Sequence, residues 1–106
     1  MTTGSGFNIV STSLPESDRK MQMPIRIVIA DDHAVVRQGL RMFLSLDSEL
    51  EIVGEAVDGR KAIELAHSLR PDIVLMDLVM PVLGGMEAIA TIRRELPDVE
   101  VIALTS

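Results

Sequence analysis

From residue 25 onward, short apolar runs alternate with stretches in which apolar positions recur at helical spacing. Ile25 to Ala30 (IRIVIA) is a β-branched run of strand length, which predicts a buried strand. Ala34 to Leu46 follows, with Val36, Leu40, Phe43 and Leu44 at the spacing of one helical face. Asp32 or His33 stands where such a helix is capped. Glu51 to Val57 predicts a second strand. Asp58-Gly59 then opens a helix through Leu69, with Ala62, Ile63, Ala66 and Leu69 on one face, closed by Pro71. Ile73 to Met76 predicts a third strand. Gly84-Gly85 leads into a helix with Met86, Ile89, Ile92 and Leu96 inward, ended by Pro97, and Val99 to Leu104 predicts a fourth strand. Strand and helix in strict alternation is the pattern of a parallel sheet with right-handed crossovers, an α/β fold.

Residues 1–24 are of different material, rich in Ser, Thr and Gly and without a clear period. They read as a mobile leader outside the chemistry. Met21 and Met23 stand just before the first strand, so an upstream start codon would account for the leader.

Composition narrows the picture. Hydrophobic residues make up 47% and aromatic residues 2%, so the core is aliphatic, as suits strands that are apolar on both faces. The net charge of −6 sets this segment against nucleic-acid phosphates. There is no cysteine, which excludes disulfides and thiolate chemistry. No apolar run approaches the roughly 20 residues of a membrane span, and no signal peptide is seen. A cytoplasmic domain without membrane or nucleic-acid contacts of its own is expected.

In open parallel sheets functional groups gather at the carboxyl ends of the strands. Here the first strand ends in Asp31-Asp32, the third in Asp77 and the fourth in Thr105-Ser106. Each group alone has an ordinary reading: a helix cap for Asp31 or Asp32, a loop residue for Asp77, a strand end for Thr105. Together they predict three carboxylates and one or two hydroxyls on one shallow site. Carboxylates so close repel one another, and a hard divalent cation such as Mg²⁺, which takes oxygen ligands, resolves the conflict. One aspartate can then act as a nucleophile and carry an aspartyl phosphate. Gly84-Gly85 reads as a turn before a helix rather than a phosphate loop. His33 and His67 show no metal-ligand spacing between them, and Met76, Met80 and Met86 read as packing.

The segments IRIVIADDHAVVRQGL, VGEAVDGRKAIELA and RPDIVLMDLVMPVLGGMEAIATIRRELPDVEVIALTS resemble the receiver domain of bacterial two-component response regulators. The DDH, R-x-G-L and GEA-x-DG details look like the NarL/LuxR-type branch, whose members usually carry a C-terminal helix-turn-helix DNA-binding domain. The resemblance covers residues 25–106. It implies a flavodoxin-like (CheY-like) doubly wound sheet and phosphoryl transfer from a sensor histidine kinase. By motif Asp77 matches the phospho-acceptor, and Asp31 and Asp32 match the acidic pair holding Mg²⁺, with Asp32 the more direct ligand. The backbone carbonyl of Val79 matches a further ligand beside Asp77. Pro81 and Gly85 match the loop shaping the site, and Thr105 the hydroxyl residue that transmits the switch.

The same resemblance implies a further helix, strand and helix, with a lysine that pairs with the phosphoryl oxygens and an aromatic switch residue. The chain lacks them, and Lys20 and Lys61 lie in the wrong places to replace that lysine. An incomplete receiver is therefore expected, with a bare fourth-strand edge that favours homodimers or swapped oligomers and with weak phosphoryl transfer. The alternative is a phosphorylation-independent interaction module of the same fold. An aspartate-based phosphatase is disfavoured by Val79, which stands where a second aspartate commonly lies. A flavodoxin-like nucleotide binder is disfavoured by the acidic loop after the first strand.

Overall fold

The computed structural model describes residues 23–104. The expected leader, residues 1–24, lies almost wholly outside the described residues, as do Thr105 and Ser106. The elements are β1 (Ile25–Ala30), α1 (Ala34–Leu44), β2 (Leu50–Ala56), α2 (Gly59–Leu69), β3 (Ile73–Asp77), α3 (Gly85–Glu95) and β4 (Glu100–Leu104). Every strand and helix predicted from the pattern is present, with ends shifted by one or two residues.

The four strands form one parallel sheet in the order β2-β1-β3-β4. Right-handed crossovers then place the helices. The step from β1 to β2 runs one way along the sheet, and the steps from β2 to β3 and from β3 to β4 run the other way. α1 therefore covers one face, and α2 and α3 cover the opposite face. The reversal falls between β1 and β3, where doubly wound sheets open a crevice at their carboxyl ends.

The core confirms its aliphatic composition. Val28, Ala30, Val74, Met76 and Val101 of the sheet pack with Ala62, Ala66, Ala88, Ile92 and Leu96. Alanines on α2 let it lie close to the strands, and Asp58 caps it by accepting the N–H of Lys61 (2.8 Å). No helix among the described residues is long and apolar enough to cross a membrane.

One packing expectation needs correction. Met86 does not point inward. α3 buries Gly85, Ala88 and Ile92, and Met86 stands about 100° around the helix from Gly85, so it is exposed. On α1 the positions at helical spacing are incompletely covered: Val36 and Phe43 are exposed, the latter 70%, and no residue of α1 is fully buried. Periodicity identified which positions share a face but not whether another element covers it. Ile102 on β4, at one edge of the described sheet, is also exposed.

Val82, in the loop between β3 and α3, has φ of 68°. A β-branched side chain in the left-handed region is strained by about 1–3 kcal/mol. Val82→Gly relieves that strain against a chain-entropy cost of roughly 1 kcal/mol. A net gain of about 1 kcal/mol is expected, seen as a rise of several degrees in the thermal midpoint. An unchanged or lower midpoint would show that Val82 is not held in this conformation.

Candidate functional site

The site is built where β1 and β3 end side by side, Ala30 lying opposite Met76. The N–H of Asp31 still donates to the carbonyl of Ala56 at the end of β2 (3.0 Å), so Asp31 keeps its place beside the sheet as the chain turns. Its Oδ1 accepts the N–H of His33 (2.8 Å), an Asx turn that starts the entry to α1. His33 is the N-cap and makes no side-chain cap bond. Asp77 is the last residue of β3, and its Oδ1 accepts the N–H of Val79 (3.1 Å).

Asp31 and Asp77 are nearly buried, 5% and 7% exposed, whereas Asp32 is at the rim. Each of Asp31, Asp32, His33 and Asp77 offers a ligand atom, and these atoms lie within 4.8 Å of one another. The predicted convergence of the three carboxylates is therefore present. Charges this close in a partly desolvated pocket repel strongly, and oxygen-rich, anionic surroundings fit a hard divalent cation. The donor set is one that could hold such an ion.

From sequence, His33 reads as a candidate helix cap with no metal-ligand spacing to His67. Its Nδ1 lies 3.1 Å from Asp31 Oδ1 and 3.1 Å from Asp32 Oδ1. The hydrogen bond to Asp31 and then the charge of Asp32 hold its pKa above the usual histidine value. The signal that sequence offered was its position directly after the acidic pair. His67 is elsewhere, paired with Glu95 on α3 through Nε2 (2.7 Å). Lys61 is exposed and near Glu64 (3.7 Å). Thr105 lies outside the described residues.

Close backbone approaches shape the far wall. The N–H of Gly85 donates to the carbonyl of Leu78 (3.2 Å), and a Cβ at Gly85 would collide with the carbonyl oxygen of Asp77. The N–H of Gly59 donates to the carbonyl of Leu83 (3.0 Å), and a Cβ there would meet that same oxygen. The loop carrying Val79 and Pro81 is thus held by the first residues of both α2 and α3. Gly85 belongs at this wall by packing.

Arg37 and Glu55 lie within the family-like segments, and sequence alone points to no role for them. Nη1 of Arg37 donates to the carbonyl of Asp31 (2.7 Å), and Nε donates to Glu55 Oε1 (3.1 Å). Arg41 Nε donates to the other oxygen of Glu55 (2.6 Å). The Arg41 hydrogen bond, followed by that from Arg37, holds the Glu55 carboxyl below its usual pKa. A lowered carboxyl pKa stabilises the folded state above the unfolded value, so this cluster contributes at neutral pH and is lost as pH falls through the lowered value.

Comparisons with known proteins agree with the geometry. The family model described as the response regulator receiver domain matches residues 27–106. Response regulator protein VraR of Staphylococcus saprophyticus is 45% identical over 84 residues, which cover 79% of this chain and 40% of that protein. The response regulator domain of Thermotoga maritima CheB is 36% identical, with a TM-score of 0.75, and the match covers 78% of this chain and 61% of that one. The signal receiver domain of the putative response regulator NarL from Mycobacterium tuberculosis is 35% identical, also with a TM-score of 0.75, over 78% of this chain and 67% of that one. The chain thus spans about two-fifths of the length of the curated relative.

Proposed function

The chain belongs to the response regulator receiver domain family, in its NarL/LuxR-type branch, and from that premise we propose that it accepts a phosphoryl group on Asp77 from a sensor histidine kinase. The observation that carries this reading is the meeting of Asp31, Asp32 and Asp77 at the carboxyl ends of adjacent strands. Asp31, Asp32, Asp77 and the backbone carbonyl of Val79 are the residues proposed to hold Mg²⁺. When bound, the ion supplies positive charge that offsets the carboxylates and the phosphoryl oxygens.

In the proposed transfer a carboxylate oxygen of Asp77 attacks phosphorus in line. The new O–P bond forms as the N–P bond of phosphohistidine breaks, and the imidazole leaves with its electron pair and takes up a proton. The Val79 N–H orients the Asp77 carboxylate through its 3.1 Å bond to Oδ1. The near burial of Asp77 limits water around the nucleophile. Thr105 is proposed to follow the phosphoryl group and transmit the switch. Phosphotransfer of this kind is self-catalysed within a cytoplasmic signalling domain, which is not an enzyme in the ordinary sense. DNA binding and transcription control are proposed to belong to an output domain of the kind that NarL/LuxR-type regulators carry, not to residues 25–106.

The cation site is tested by calorimetric titration with Mg²⁺, the chain having neither Trp nor Tyr as a fluorescent reporter. Saturable binding is expected for the wild type, and loss of at least tenfold in affinity for Asp32→Ala. Equal binding by both proteins would remove Asp32 from the site.

A second reading, self-association of the 106-residue chain, is favoured by the exposed Val36, Phe43 and Ile102. Size-exclusion chromatography with light scattering is expected to show a dimer or larger species that Phe43→Ser weakens. A monomer across the micromolar range would refute it.

A further inference from the structure

We propose that Arg37 is a positioning residue for the carboxylate site: anchored on Glu55, its guanidinium holds the peptide between Asp31 and Asp32 and thereby raises divalent-cation affinity. The inference rests on the reading of Asp31, Asp32 and Asp77 as a cation site.

Arg37 stands in the first turn of α1, and its N–H donates to the carbonyl of His33 (3.0 Å). Its backbone is therefore tied to the loop that its side chain serves. The side chain is only 17% exposed. Of its donors, Nη1 reaches the Asp31 carbonyl and Nε reaches Glu55 on β2. On the other side of the same residue, the Asp31 N–H is bound to the carbonyl of Ala56, which directly follows Glu55. The ends of β1 and β2 and the start of α1 are closed into one ring of hydrogen bonds.

The Asp31 carbonyl belongs to the peptide plane that joins the two acidic residues. Rotation of that plane swings the backbone of Asp32 and redirects its carboxylate. A planar guanidinium with two fixed partners resists the rotation, because its donors form a rigid fork. Arg41 also bonds Glu55, at its second oxygen, but makes no bond to the Asp31 carbonyl. Groups that orient metal ligands from outside the coordination shell commonly change affinity by about 10–100-fold when removed.

Electrostatics alone predicts the opposite sign. Arg37 is a cation near a cation site, so deleting its charge would tighten Mg²⁺ binding if charge were its whole effect. Positioning predicts weaker binding, which makes affinity the deciding readout.

The experiment is a calorimetric Mg²⁺ titration of the full 106-residue chain, with thermal unfolding in chelator recorded alongside. Arg37→Met is expected to weaken binding about tenfold. Arg41→Met, which breaks a bond to the same Glu55 but does not touch the Asp31 carbonyl, is expected to change affinity by less than about twofold while lowering stability. Arg37→Lys keeps the charge but not the fork, and is expected to bind about threefold to tenfold more weakly than wild type. Wild-type or tighter affinity in Arg37→Met would overturn the proposal. If Arg37→Met does not fold, Arg37→Lys decides, and unchanged affinity there overturns it. Absence of Mg²⁺ binding in the wild type itself would remove the cation-site reading and this proposal with it, a result distinct from a loss confined to the Arg37 variants.

Discussion

Gly85→Ala is expected to lower the thermal midpoint by roughly 10 °C or more, a loss of about 2–3 kcal/mol for a domain of this size. The added methyl has nowhere to go: its position overlaps the carbonyl oxygen of Asp77 and crowds the Cα of Leu78. Both obstacles are backbone, so no side-chain rotation relieves the clash. α3 would have to move away from β3, disturbing the Gly85 N–H bond to Leu78 and the packing of Ala88 and Ile92 behind it. Because the clash falls on Asp77 itself, Mg²⁺ affinity is expected to drop as well. The adjacent position is the control. A Cβ at Gly84 meets nothing within 4 Å, and its φ of −68° suits any residue. Gly84→Ala is therefore expected to change stability by less than about 1 kcal/mol, the scale of an N-cap preference. Equal tolerance at both positions in thermal unfolding would show that α3 does not approach the site as described.

Asp77→Asn is expected to have two opposite effects. In chelator it raises stability by about 1–2 kcal/mol, and in Mg²⁺ it loses most of the metal-induced stabilisation. The first effect follows from removing one of three carboxylates whose ligand atoms lie within 4.8 Å. At that separation a like-charge pair costs on the order of 3 kcal/mol at an effective dielectric of 20, and nearby His33 offsets part of it. The carboxamide oxygen can still accept the Val79 N–H, and its new N–H groups can donate toward Asp31 or Asp32. The second effect follows from losing one of the carboxylates proposed to hold the ion. Thermal unfolding with and without Mg²⁺ separates them. A variant less stable than wild type in chelator would mean that the carboxylates do not repel as their geometry implies.

The architecture was legible because it rests on local signals. β-branched runs such as IRIVIA, helical spacing around Ala62 and Ala66, and the breaks at Pro71 and Pro97 all survive into the structure. The site was legible because Asp31, Asp32 and Asp77 each interrupt an apolar run at a strand end, and parallel topology carries such ends to one edge. What sequence could not show depends on contacts between distant segments. Whether Phe43 is covered is decided by which element packs on α1, and periodicity is silent about that. Met86 was placed inward because it is apolar and near a helical stripe, yet the stripe runs through Gly85, Ala88 and Ile92, where small residues bring α3 close to the sheet. The roles of Arg37 and Glu55 need a bond that spans 18 positions in the chain, and no local spacing rule reports it.

The most direct measurement is intact mass after incubation with Mg²⁺ and acetyl phosphate, beside Asp77→Asn. One added phosphoryl group on the wild type and none on the variant is the predicted result. A phosphoryl group on both would place the acceptor elsewhere. No addition to a wild type that binds Mg²⁺ would contradict phosphoryl acceptance and leave the interaction module as the function of this chain.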